Sequence, residues 1–292
     1  MKTRVLGAVL VILASSLTAI SATASPSLRA VSLASPCAQP GPTPTYSHVV
    51  WIMLENVGYS VVGSSSAPYL NSLENRCGLA TNDVAISHPS LPNYFALTAG
   101  STIGVADDGE PSVHPLNIAN IFLQLNGNWR ALVESMPTPC DHVTSGSYAA
   151  RHNPAVYYNN ISGSCKRNDV PLSSPLNLSA AFTFISPNVC NDMHNCPTSV
   201  GDAWLARYVP QIIASPLYQR RSLVLFITFD ESDSSSNNHV PLWVIAPSVP
   251  RGRRVSTPFS HYSLLRTTET LLHVAPLRGA RTAPSLIGPF HL

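Results

Sequence analysis

The chain is short of charge. Only 11% of its 292 residues are Asp, Glu, Lys or Arg, and the formal net charge is +2. It has no basic block, so the electrostatic footprint that draws a protein onto nucleic acid is missing. Its six cysteines contain no Cys-x-x-Cys, which argues against a thiolate metal cluster. After residue 24 no apolar run is long enough to cross a bilayer, so no integral span is expected in the mature chain. With so few charges, the surface must rely on Ser, Thr, Asn and Pro.

What is present begins with an export signal. Lys2 and Arg4 precede a mostly apolar stretch over residues 5–20, and Ala22-Thr23-Ala24 forms a small-x-small cleavage site. Ser15, Ser16 and Thr18 break the apolar stretch, which suits a signal peptide better than an anchor. Residues 1–24 are therefore predicted to be a signal peptide, residues 25–45 a flexible, exposed lead-in, and residues 46–292 one domain of a secreted protein. An even number of cysteines fits export and disulfides. Of fifteen possible pairings, the sequential one brackets short or moderate loops: Cys37–Cys77, Cys140–Cys165 and Cys190–Cys196. Asn160-Ile161-Ser162 and Asn177-Leu178-Ser179 are glycosylation acceptors in a eukaryotic host.

Apolar runs over residues 48–54, 79–86, 129–135, 180–185, 222–229 and 240–246 predict strands. Residues 67–75, 93–100, 118–125, 201–214 and 261–273 predict helices, and residues 136–175 an irregular, disulfide-tied excursion. Strands and helices alternate, so the class is α/β with a mostly parallel sheet.

In such a sheet the chemistry sits beyond the carboxyl ends of the strands. Four apolar runs end in polar residues: Glu55-Asn56, Ser87-His88-Pro89-Ser90, the loop over residues 188–194, and Asp230-Glu231. Adjacent carboxylates repel unless a cation neutralises them, and oxygen donors suit a hard divalent ion. Ser90, between Pro89 and Pro92, is either a helix N-cap or a nucleophile. His152, His194 and His261 lie in loops or at a helix start, where they suit phosphate binding, proton transfer or a second metal.

In order along the chain, residues 48–59, Ser87-His88-Pro89-Ser90-Leu91-Pro92-Asn93-Tyr94, Asn191-Asp192-Met193-His194 with Gly201-Asp202-Ala203-Trp204-Leu205, Phe229-Asp230-Glu231, and Ser260-His261-Tyr262-Ser263-Leu264-Leu265 resemble the motifs of a known family. It is the phosphoesterase family of bacterial phospholipases C and secreted acid phosphatases, within the alkaline-phosphatase superfamily. The resemblance covers residues 46–274 and is closest to the small secreted acid phosphatases, a mycobacterial phosphoinositide phosphatase among them. It implies a three-layer α/β/α sandwich. It implies a divalent metal, one ion with a second possible, held by Glu55, Asn56, Asp230, Glu231 and Ser90 Oγ. It also implies that Ser90 forms a phosphoseryl intermediate, and that His152, His194 and His261 bind phosphate oxygens or protonate the leaving group. Asp192 and Asp202 would orient histidines or bind a second cation. The implied substrate is a phosphorylated small molecule or a phosphoinositide. One departure stands out: Val57-Gly58-Tyr59 follow Glu55-Asn56, where the family carries a basic residue and then Ser, and Arg151 is the candidate substitute. The implied activity is phosphomonoester hydrolysis. A phospholipase C-type diesterase and a non-catalytic binder of phosphorylated ligands are the alternatives.

Overall fold

Strands covered by helices on both faces must be apolar throughout, and residues 48–54 and 223–229 meet that demand. All but the first residue of the former and every residue of the latter are buried. The computed structural model of the chain describes Met1, residues 35–233 and residues 237–292. Its elements are β1 (His48–Leu54), α1 (Pro68–Arg76), β2 (Gly78–Val84), α2 (Ser90–Ala99), α3 (Ile121–Gln124), β3 (Trp129–Val133), α4 (Ser162–Asn168), β4 (Asp169–Pro171), β5 (Phe182–Ser186), α5 (Thr198–Ile213), α6 (Pro216–Gln219), β6 (Leu223–Phe229), β7 (His239–Ile245), β8 (Arg253–Val255), β9 (Phe259–Ser260), α7 (His261–Leu271) and α8 (Ile287–Phe290).

The strands form one nine-stranded sheet in the order β4-β3-β5-β1-β6-β7-β2-β8, with β9 also on β2. Among the described strands only β7 runs against the rest. The reason is local. Residues 230–238 join β6 to β7, and a parallel return needs a crossover of about a dozen residues or more. The carboxyl ends of β1, β2, β5 and β6 therefore open on one rim. Helices α1 and α5 pack on each other, as do α2 and α7, giving the helical layers of an α/β/α sandwich. Between them lie Trp51, Trp243, Phe182, Phe184 and Phe226, all fully buried. Each contributes on the order of 2–3 kcal/mol of burial free energy.

Several boundaries differ from the sequence expectation. Helix α2 starts at Ser90 rather than at residue 93, because Pro92 falls in the first turn, where the missing N–H costs nothing. Helix α5 begins at Thr198, three residues ahead of 201. The helix expected over 118–125 shrinks to Ile121–Gln124, started by Asn120, whose side chain accepts from the Leu123 N–H at 2.9 Å. The excursion over 136–175 is partly regular, since it holds α4 and the edge strand β4.

All three sequential disulfides form. Residues 36–42, expected to be an exposed lead-in, are docked. Cys37 is buried and bonded to Cys77, and Arg221 donates to the carbonyls of Gln39 at 3.0 Å and Pro42 at 2.8 Å. The predicted signal peptide lies outside the described residues. No helix among the described residues is long and apolar enough to cross a membrane.

Candidate active site

Helix α2 is buried along its whole length, yet Ser90, Asn93, Tyr94 and Thr98 recur on a helical period. That polar stripe builds the site. Pro89 is the N-cap and Ser90 the first helical residue, so the Ser90 hydroxyl is free of capping duty. Its Oγ donates to Glu55 Oε2 at 3.0 Å and lies 3.4 Å from Glu231 Oε1. Asn93 fixes the loop ahead of it. Its Oδ1 accepts from the N–H groups of Ile86 at 3.0 Å and Ser87 at 2.9 Å, and its Nδ2 donates to Ser87 O at 2.8 Å. Asn238 bridges that loop to the end of β6. Its Nδ2 donates to Ser87 O at 2.7 Å, and its Oδ1 accepts from the Ser232 N–H at 2.9 Å.

The carboxylates meet because β1 and β6 are paired in register through Leu54 and Phe229. Glu55 and Asp230 leave the two strands side by side. The Asp230 N–H donates to Leu54 O at 3.0 Å, and the Asn56 N–H donates to Asp230 Oδ1 at 3.2 Å. Asn56 has a left-handed φ of 55°, which asparagine tolerates. Burial, and then the charges of Asp230 and Asp192, push the Glu55 carboxyl well above the usual carboxylate range. Burial, and then Glu231, do the same to Asp230. Burial and Asp108 raise Glu231 to about 7.

The histidines are oriented by neighbours. His152 places Nδ1 3.0 Å from Asp192 Oδ2 and Nε2 3.4 Å from Glu55 Oε1, and burial pushes its pKa well below the ordinary histidine value. Asp192 also accepts from the His194 N–H at 2.8 Å through Oδ1, and burial raises it to about 7. Arg151 donates from its guanidinium to His194 Nε2 at 3.3 Å. Arginine can only donate, so His194 carries its proton on Nδ1, 2.7 Å from Asn195 Oδ1. Arg151 and Asn195 thus hold both ring nitrogens of His194. His261 is fully buried, its Nε2–H donates to the Asp230 carbonyl, and burial lowers its pKa to about 4. That bond ties the start of α7 to the end of β6.

Asp202 stands apart. Its two oxygens accept from the N–H groups of Tyr69 and Leu70, each at 2.9 Å, and so cap α1. It orients neither His152 nor His194.

Sequence reasoning missed Tyr94, Asp108 and a role for His88. Tyr94 donates to Glu55 Oε1 and stacks on His152 with ring centroids 5.8 Å apart. Asp108 accepts from the Leu91 N–H at 2.9 Å and lies 3.9 Å from Arg151 Nε. His88 Nδ1 lies 2.5 Å from Glu231 Oε2. The helical period of α2 was the available signal for Tyr94. Asp108 comes from a distant loop and carried none.

The donor set fits a hard divalent cation. Asp230 Oδ2 is buried without a hydrogen-bond partner, and Glu55 and Glu231 crowd the same hydroxyl. Glu55, His152 and His194 form a second group, with ligand atoms within 4.8 Å of one another. The similar grouping of Cys140, His142 and Cys165 is closed by the disulfide.

A model of the phosphoesterase family matches residues 61–275. A phosphatidylinositol-3-phosphatase of Mycobacterium tuberculosis is 34% identical over 253 residues, covering 83% of this chain and 82% of its own. A phosphate-repressible acid phosphatase of Penicillium chrysogenum is 30% identical over 240 residues, covering 75% of this chain but 57% of its own. Among solved structures, a protein of the alkaline phosphatase superfamily from Vibrio parahaemolyticus aligns over 85% of this chain and 72% of its own, with a TM-score of 0.57 at 12% identity. A lipoteichoic acid synthase from Listeria monocytogenes covers 80% of this chain and 75% of its own, with a TM-score of 0.57 at 11% identity.

Proposed function

Since the chain belongs to the phosphoesterase family and is a hydrolase of phosphoric ester bonds, we propose that it is a secreted, metal-dependent phosphomonoesterase working through a phosphoserine at Ser90. The observation that carries this reading is the Ser90 hydroxyl lodged between Glu55 and Glu231, beside the unpartnered Asp230 oxygen. A hydroxyl gains nothing structurally from that crowd of acids. A nucleophile does, once a cation balances them.

Glu55, Asn56, Asp230, Glu231 and Ser90 Oγ would hold the cation, with His152 and His194 on the far side of Glu55 available to a second ion. When bound, the cation lowers the pKa of the serine hydroxyl and offsets charge on the phosphoryl oxygens. Ser90 passes its proton to Glu55 and attacks phosphorus. The bond to the leaving oxygen breaks, and the alcohol leaves after taking a proton from water at the mouth. Water then cleaves the Ser90–phosphorus ester, releasing phosphate and restoring the hydroxyl. Tyr94 holds Glu55 in place, while Asp192 holds His152 and the His194 backbone.

Arg151 supplies the fixed positive charge for the incoming phosphate. Among the described residues it is the only lysine or arginine whose side chain contacts the site. It replaces the basic residue absent after Asn56. The phosphoinositide phosphatase among the relatives makes phosphorylated inositol lipids the first substrates to assay.

The test compares Ser90→Ala with wild type on p-nitrophenyl phosphate and bis-p-nitrophenyl phosphate, before and after chelation. Phosphate release should fall by at least about a thousandfold in the variant, stop on chelation and favour the monoester. Unchanged hydrolysis by Ser90→Ala would refute the nucleophile. Preference for the diester would return the phospholipase C-type reading, and a wild type inert with every divalent ion would leave a binding protein.

A further inference from the structure

We propose that a groove beside the mouth is the subsite for the leaving alcohol, and that it selects phosphomonoesters whose alcohol has an apolar body. The inference rests on the phosphatase reading and names the class of substrate the site takes.

The groove has a volume of about 400 Å³ and two walls. One is the loop over residues 107–115, through Pro111 and Pro115, and the other is the loop over residues 141–145, through Val143. Each wall is tied to the site. The first also carries Asp108, which accepts from the Leu91 N–H one residue after Ser90 and lies 3.9 Å from Arg151 Nε. In the second, Thr144 Oγ1 accepts from the Ala150 N–H at 3.0 Å, directly before Arg151. Glu110 joins the two walls, its Oε2 accepting from the Thr144 N–H at 3.3 Å. Attack in line sends the leaving oxygen away from Ser90. With the phosphate between Ser90 and Arg151, the alcohol departs on the Arg151 side, where the groove opens.

Both walls hold apolar surface out in water. Val143 is 66% exposed, and Val113, beside Ser112 of the groove lining, is 62% exposed. Apart from Met1 these are the most exposed large apolar side chains among the described residues. Neither loop is free to fold them in. On the first wall His114 Nε2 lies 2.5 Å from Asp107 Oδ1, which also accepts from the Gly109 N–H at 2.8 Å. A Cβ at residue 109 would come within 2.8 Å of both latch atoms, so glycine lets the latch close. The Tyr157 hydroxyl then donates to the Gly109 carbonyl at 2.9 Å. On the second wall the Cys140–Cys165 disulfide and the Tyr148 hydroxyl, which donates to the Asp141 carbonyl at 2.5 Å, fix the loop. Apolar surface that braced loops cannot hide is stabilised when a ligand covers it.

The experiment measures phosphate release from ethyl phosphate and hexyl phosphate by the full mature protein, supplied with a divalent ion, as wild type, Val143→Ser and Val143→Ile. The two alcohols have nearly the same acidity, so the ratio of their kcat/KM values reads the fit of the chain and not the chemistry. Val143 is exposed enough that neither change threatens the fold. Wild type should favour the hexyl ester about tenfold or more. Val143→Ser should shrink that ratio about fivefold, and Val143→Ile should keep it. A wild type that treats the two esters alike, or that cleaves p-nitrophenyl phosphate but neither alkyl ester, overturns the subsite and leaves the phosphatase reading standing. So does a hexyl preference that Val143→Ser leaves unchanged, since the chain then lies elsewhere. A wild type that releases phosphate from none of the three overturns the phosphatase reading, and this inference with it.

Discussion

Glu55 shows how much one side chain can be asked to do. It accepts from Ser90 through Oε2 and from Tyr94 through Oε1, and His152 Nε2 lies 3.4 Å from that same Oε1. Removing the Tyr94 hydroxyl isolates one of these links. Tyr94→Phe keeps the buried ring and its stacking on His152 but loses a bond to a charged acceptor, worth about 1.5–3 kcal/mol. We expect kcat on p-nitrophenyl phosphate to fall about tenfold or more and the melting temperature to drop by several degrees. A variant with wild-type kcat would show that Glu55 is held without it. At this scale the sequence was informative about residue types and silent about partners. Glu55, Ser90, Asp230 and Glu231 are legible because each ends an apolar run or follows a proline. Asp108 and His88 are not, because their roles depend on which loop folds over which.

At the scale of elements, Asp202 is the instructive case. Its place beside the Asn-Asp-Met-His motif suggests catalysis, but its carboxylate satisfies the free N–H groups at the start of α1. Asp202→Ala should therefore cost about 1–2 kcal/mol of stability in urea unfolding, with metal affinity and kcat near wild type. A collapse of metal binding at unchanged stability would move Asp202 back into the site. Helix α2 teaches the converse. Its polar stripe at Ser90, Asn93, Tyr94 and Thr98 looks like a flaw in a buried helix, and it is the scaffold of the proposed nucleophile. The reversal of β7 was not legible, since an apolar strand reads alike in either direction. The short link from β6 decides it.

The whole molecule carries a heavy load of buried acid. Asp83, Asp169, Asp192, Glu231 and Glu269 are all raised to about 7, chiefly by burial. In the unfolded chain such groups titrate near about 4. Below that value both states are protonated and stability is full. As pH climbs through about 7, the folded state must ionise buried groups and stability is lost. His152 and His261, held low, act in the opposite sense, since the unfolded state protonates them below about 6.5. With Glu55, Asp230 and Glu74 also raised and His48 also lowered, eight carboxylates outweigh three imidazoles. The melting temperature of chelated protein should therefore fall between about pH 4.5 and 7.5. A divalent ion should raise it far more at the upper end, where the site carboxylates are free to bind. Calorimetry across that range checks both, and a rising or flat profile without metal would count against the balance.

Read alone, the sequence determines the class of fold and the acidic strand ends. These are local properties: hydrophobic period, composition, spacing, and the chemistry of single side chains. Tertiary structure decides which acids share a hydroxyl, which neighbours each histidine meets, and that Asp202 caps a helix. Those outcomes depend on strand register and loop closure, which bring together atoms far apart in the chain. No local pattern encodes which distant oxygen a given proton will meet.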